Sequence, residues 1–75
     1  MAKHSVRSPV GGSVWIHTAA VGQTVFEGSP LLTIEVMKTE FPIESPCAGT
    51  VTYLAAVGQT LDQDALVAIV DDAKS

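Results

Sequence analysis

Only one side chain in this sequence is both reactive in type and unusual in placement: Lys38. The other three cations, Lys3, Arg7 and Lys74, lie near the ends, so Lys38 is the only lysine or arginine in the interior of the chain. It stands in the run Glu35-Val36-Met37-Lys38-Thr39-Glu40, where two strand-like segments meet with no Gly, Asn or Pro between them. A two-residue hairpin turn of type I′ needs φ > 0 at both central residues and therefore favours Asn-Gly or Asp-Gly. Placing Met37 and Lys38 there costs about 1–2 kcal/mol per residue relative to glycine. Strain of this kind persists where function needs it. A lone ammonium raised on a hairpin tip is well presented for covalent modification. A lysine amine is protonated at neutral pH and then not nucleophilic. The sequence puts no obvious base beside it. Glu35 and Glu40 flank the tip on either side.

No other constellation suggests chemistry performed by the chain itself. Ser5 beside His4 is too local and too terminal for a nucleophile–base pair. His4, His17 and Cys47 are too scattered for a zinc site, and no metal ligands or catalytic residues are assigned. Both histidines read as surface residues. Cys47 stands where the other half of the chain has Val10, which makes it a small buried hydrophobe. Trp15 alternates with Val14 and Ile16, which puts it on an outer face, where partial burial under a loop is the commoner outcome and a partner contact the alternative.

The elements that must hold Lys38 follow from an internal repeat. Ala19-Ala20-Val21-Gly22-Gln23-Thr24 recurs as Ala55-Ala56-Val57-Gly58-Gln59-Thr60. Upstream, Ser8-Pro9 is echoed by Ser45-Pro46, Gly12 by Gly49 and Val14 by Val51. Downstream, Leu31 is matched with Leu66 and Ile34 with Ile69, so the offset drifts from 37 to 36 to 35. Two halves, residues 6–36 and 43–70, are thus expected to interlock about a pseudo-twofold axis. Val14-Ile16, Leu32-Ile34-Val36, Phe41-Ile43, Val51-Tyr53 and Val67-Ile69 recur with period two, the signature of half-buried strands. Frequent Pro and Gly leave no room for a helix of ten residues. Pro42 falls inside a strand, which marks an edge or a bulge. The expectation is an all-β domain of six to eight short antiparallel strands, a sandwich or flattened barrel. It is read as one domain, residues 1–75, with an ordered core of about residues 5–72 and frayed ends at residues 1–4 and 72–75.

Composition bounds the function. A chain of 75 residues and 7.8 kDa buries only about 60% of its unfolded surface, which disfavours an enzyme with a deep pocket. Hydrophobic residues at 47% against 16% charged argue for a folded globule rather than a disordered tail. The apolar runs are too short to span a membrane, and no secretory signal is present. A net charge of −4 disfavours nucleic acid and anionic membranes as partners. A single cysteine fits a reducing, cytoplasmic compartment.

With the repeat and the central Glu-Val-Met-Lys-Thr run in view, the sequence closely resembles the biotinyl domain of biotin carboxyl carrier proteins. The resemblance runs from about residue 6 to residue 71. It includes the Ser-Pro-x-x-Gly-x-Val opening of each half and the Val-Gly-Gln-Thr turns. Val36 stands where the family more often has Ala, and Thr39 where it more often has Met. The resemblance implies a flattened barrel or sandwich of two four-stranded sheets with the modified lysine on a hairpin tip. It implies that Lys38 receives biotin from a biotin protein ligase, with Glu35, Val36, Met37, Thr39 and Glu40 as recognition residues. A biotin carboxylase would then load the carrier and a carboxyltransferase unload it, so the domain is a carrier and not an enzyme. The implied setting is a biotin-dependent carboxylase, such as an acetyl-CoA carboxylase of fatty acid biosynthesis. The acceptor stays open among acyl-CoAs, pyruvate and urea. The initial Met and the lack of a Pro/Ala-rich leader favour a free-standing subunit, and the repeat leaves no room for the protruding thumb of some relatives. A lipoyl domain shares the fold but usually has Asp before the lysine and Ala after it. Another alternative is an unmodified sandwich that serves only assembly.

Overall fold

Alternating apolar and polar residues, interrupted every few positions by Gly, Pro or Ser, produce eight short strands and no helix in the computed structural model, which describes residues 2–72. They are β1 (Lys3–Arg7), β2 (Gly12–His17), β3 (Thr24–Val25), β4 (Pro30–Val36), β5 (Thr39–Glu44), β6 (Gly49–Leu54), β7 (Thr60–Leu61) and β8 (Leu66–Asp71). They form two four-stranded antiparallel sheets, ordered β1-β8-β6-β3 and β5-β4-β2-β7. Replacing each strand of the first sheet by its partner in the other half turns the first order into the second. The pseudo-twofold is therefore built into the topology. Pro42 lies on β5, an edge strand, where its missing N–H breaks no ladder.

The repeated motifs close equivalent turns. Buried Ser8 donates its hydroxyl to the Val10 carbonyl, and buried Ser45 donates to the Cys47 carbonyl. Gly22 and Gly58 take φ of 94° and 88°, a region open to glycine without strain. Their N–H groups donate to Val51 O and Val14 O, each at 2.7 Å. Gln23 and Gln59 accept from the Ala20 and Ala56 N–H groups at 3.0 and 3.2 Å. Each half thus laces its loop to a strand of the other.

One part of the sequence alignment is corrected. Ala19 N donates to Leu31 O as Ala55 N donates to Val67 O, so Leu31 corresponds to Val67, not Leu66. Likewise Ile34 pairs with Val14 as Val70 pairs with Val51, so Ile34 corresponds to Val70, not Ile69. The offset stays at 36. A one-residue slip moves every side chain to the opposite face, and only the structural match keeps Leu31, Val67, Ile34 and Val70 all fully buried. The change from 37 to 36 occurs at Thr18, whose N–H shares the Leu31 carbonyl with Ala19.

The core is aliphatic: Val14, Leu31, Leu32 and Ile34 meet Val51, Val67 and Val70 between the sheets. Burying each such side chain contributes roughly 1.5–3 kcal/mol. Cys47 packs against this cluster, half-buried. Burial, then the Asp72 and Glu27 carboxylates, pushes its thiol pKa up, so it stays an unreactive packing group. His17 is not a surface residue. It is half-buried in β2 at the position corresponding to Leu54, and its Nε2 donates to the Ala55 carbonyl at 2.6 Å. That bond satisfies a polar ring in an apolar position. Lys3 and His4, read as part of a frayed end, belong to β1 and pair with Asp71 and Val70. Asp72 is likewise bonded, to Ala2. Residues 1 and 73–75 of the expected frayed ends lie outside the described residues.

Candidate functional site: the β4–β5 hairpin

Strands β4 and β5 pair in continuous register from Leu32↔Ile43 to Val36↔Thr39. That leaves two residues, Met37 and Lys38, to reverse the chain. Their φ values are 48° and 68°. Both central residues are left-handed, as a type I′ turn requires, without the Asn or Gly that would adopt it cheaply. Met37 is 93% exposed, so it does not fill the core. Lys38 is exposed, and among the described residues no hydrogen bond or ion pair holds its ammonium. The tip therefore presents a thioether and a primary amine to solvent on a fixed backbone.

The base of the hairpin is held from one side. At Gly12 of β2 an added Cβ would stand 2.6 Å from Glu35 O, 2.7 Å from Val36 Cγ2 and 2.9 Å from Ile34 Cγ2. Only glycine lets β2 approach so closely. Half-buried Val36 is packed against the core and faces inward with the tip's closing pair. Thr39 and Glu40 are exposed, as is Glu35. Glu35 and Glu40 are directly opposite one another in the next row of the ladder. All six residues marked in the sequence thus lie within one hairpin. The structural role of Gly12 in supporting Lys38 was visible only as a repeated motif position, because its reason is a contact across strands.

Chemically, the site offers a primary amine on an exposed turn. Among the described residues no group of three His, Cys, Asp or Glu side chains could hold a metal ion. An amine presented this openly is accessible to another protein's active site.

Comparison with known proteins identifies the family. The sequence model of the biotin/lipoyl family, described as biotin-requiring enzyme, matches residues 3–70. The chain is 36% identical over 69 residues to the mitochondrial methylcrotonoyl-CoA carboxylase subunit alpha of Oryza sativa subsp. japonica, covering 89% of this chain and 9% of that protein. Its fold superposes on Kluyveromyces lactis urea carboxylase with a TM-score of 0.88 at 29% identity, over 95% of this chain and 6% of the other. A single-chain, multi-domain long-chain acyl-CoA carboxylase matches with a TM-score of 0.76 at 23% identity, over 91% of this chain and 7% of the other; that likeness concerns the fold. The chain thus spans under a tenth of the length of each of these relatives.

Proposed function

Because the chain belongs to the biotin/lipoyl family of biotin-requiring enzymes, we propose that it is a biotin carboxyl carrier with Lys38 as its attachment site. The observation that carries this reading is the exposed lysine on a strained two-residue turn, where Met37 precedes it and no internal partner competes for it. Acylation by a biotin protein ligase forms a C–N bond between Lys38 Nζ and the carboxyl carbon of an activated biotinyl-adenylate. The C–O bond to phosphate breaks, AMP leaves, and the amine's proton passes to a base of the ligase. When attached, biotin supplies a ring nitrogen that can carry a carboxyl group from a biotin carboxylase to a carboxyltransferase.

The chain's own contribution is positional. The rigid hairpin fixes where the arm begins, and the ordered domain loses little backbone entropy at each docking. Tethering replaces free diffusion of the group with a high local concentration at each active site in turn. The domain makes no bond itself, and its proposed place is within a biotin-dependent carboxylase in the cytoplasm, an acetyl-CoA carboxylase being one member of that class. The acceptor is chosen by the carboxyltransferase.

The test is intact mass after incubation with a biotin protein ligase, biotin, ATP and magnesium. One biotinyl group should be added, the product should shift with streptavidin, and Lys38→Arg should abolish both. A lipoyl adduct formed by a lipoate ligase, with no biotin adduct, would instead assign the domain to lipoyl transfer. No adduct with either ligase would leave the assembly reading.

A further inference from the structure

The pseudo-twofold supplies an internal control for the surface around Lys38. On the outside of the sheet that carries it, β5 presents Glu40 and Glu44, and Glu35 of β4 stands opposite Glu40. The corresponding edge strand of the other sheet, β1, has Lys3 and Arg7 at the positions of Glu40 and Glu44, and Lys3 stands opposite Asp71. Across the four strands of each sheet, the Lys38 sheet has three carboxylates and no lysine or arginine, whereas the other has two cations and one carboxylate. The fold accepts either charge at these positions, so it does not dictate three glutamates in one place. Two like charges directly opposite each other also destabilise a sheet.

Trp15 and Ile16 of β2 are also the only large apolar side chains exposed within a strand among the described residues; the others, Val21, Phe26, Met37 and Val57, lie in turns and loops. Both sheets have a bulge at equivalent positions, between Val14 and Ile16 in one and between Val51 and Tyr53 in the other. The bulge in β2 places Trp15 and Ile16 on the outside, 48% and 46% exposed. Their counterparts are Thr52 and the half-buried Tyr53. Ile16 lies in the row Ile16–Thr33–Pro42, two rows along from Ser13–Glu35–Glu40, with Val14–Ile34–Phe41 between them. An exposed aromatic beside an exposed isoleucine, with the Glu35–Glu40 pair between them and the tip, has the composition of a docking face with an apolar anchor and a charged rim.

Reach decides which partner uses it. Acyl transfer requires the reacting atoms to lie about 3–3.5 Å apart. An enzyme acting on Lys38 Nζ must therefore cover whatever borders the tip, whereas enzymes acting at the end of a long arm can stand off. The inner side of the hairpin is closed by Gly12 against Val36. We propose that the outer face of the β5-β4-β2-β7 sheet, anchored by Trp15 and Ile16 and steered by Glu35 and Glu40, is the surface on which the acylating ligase docks, and that the ligase meets it with lysine or arginine side chains around an apolar seat. The proposal rests on the carrier reading above.

The experiment is the steady-state rate of biotin incorporation by a biotin protein ligase with biotin, ATP and magnesium, with the unmodified domain as the varied substrate. Trp15→Thr, which installs the residue found at the related position, should raise KM about fivefold or more and leave kcat within about twofold. Glu40→Lys, again the related residue, should lower kcat/KM by about tenfold at low salt and flatten its dependence on ionic strength. Lys3→Glu on the other sheet should leave both constants within about twofold. Melting curves establish that each variant is folded, and Glu40→Gln serves where Trp15→Thr is not. Wild-type kinetics in folded Trp15→Thr and Glu40→Lys, with the wild type acylated normally, would overturn the docking face alone. An equal loss in Lys3→Glu would overturn its assignment to one sheet. Failure of the wild type to gain biotin would remove the carrier reading and this proposal with it.

Discussion

The two ends of this molecule are related by its pseudo-symmetry, yet they are finished in opposite ways. The pair Val36–Thr39 at the hairpin corresponds to Asp72 and Ala2 beside the chain ends. At the hairpin the chain closes on itself through Met37 and Lys38 with left-handed backbone, and both side chains are left free. At the other end the closure is made by polar groups. Asp72 N donates to Ala2 O at 2.9 Å, Ala2 N donates to Asp72 Oδ1 at 2.8 Å, and His4 Nε2 donates to Asp72 Oδ2 at 3.2 Å. The difference shows how one framework serves two purposes. Where the backbone alone makes the closure, the side chains are released for chemistry. Where side chains make it, they are spent on holding strands together.

Three perturbations probe this contrast, and the largest acts through the glycines that support each end. Gly12 underlies the hairpin, and Gly49, whose added Cβ would stand 2.5 Å from Asp71 O, underlies the other end. Gly12→Val and Gly49→Val should each cost about 2–3 kcal/mol in urea unfolding, because backbone must move. Only Gly12→Val should also slow biotin incorporation in the protein that remains folded; equal slowing would erase the functional distinction. A smaller effect of opposite sign is expected at the tip. Met37→Asn should stabilise the domain by about 0.5–1 kcal/mol, since Asn tolerates φ > 0 at lower cost. It should at the same time lower the rate of biotinylation. Loss of stability in that variant would show that the turn is unstrained.

The smallest effect is electrostatic. The hydrogen bond from His4, then that from the Ala2 N–H, holds the Asp72 carboxyl below its ordinary range. A depressed carboxylate contributes stability above its unfolded pKa, and that contribution is lost as pH falls through its folded value. The difference in melting temperature between wild type and Asp72→Asn should be constant near neutrality and shrink as pH falls below the ordinary carboxylate range. The group is only partly buried, so the difference is small. A gap that widened in acid would contradict the sign.

Much of this was legible in the residues. The Val-Gly-Gln-Thr repeat revealed two equivalent halves because its glycines and glutamines make the same turn twice. The missing Asn or Gly at residues 37 and 38 pointed to the strained tip. The downstream alignment went wrong because Leu66 and Ile69 match Leu31 and Ile34 in residue type, whereas the structural equivalence is set by which face each residue occupies. His17 was misread because its partner is the Ala55 carbonyl, 38 positions away, and backbone acceptors leave no mark in a sequence. The exposure of Ile16 beside Trp15 depends on a bulge, whereas alternation alone groups Ile16 with buried Val14.

The bond between Ala2 and Asp72 has a mechanical consequence. Residues 2 and 72 lie side by side at the end of the domain remote from Lys38. A polypeptide that entered at one and left at the other would hold the body by a single pivot. The lysine is then at the other end of the lever, and a small rotation at the junction sweeps it through a wide arc.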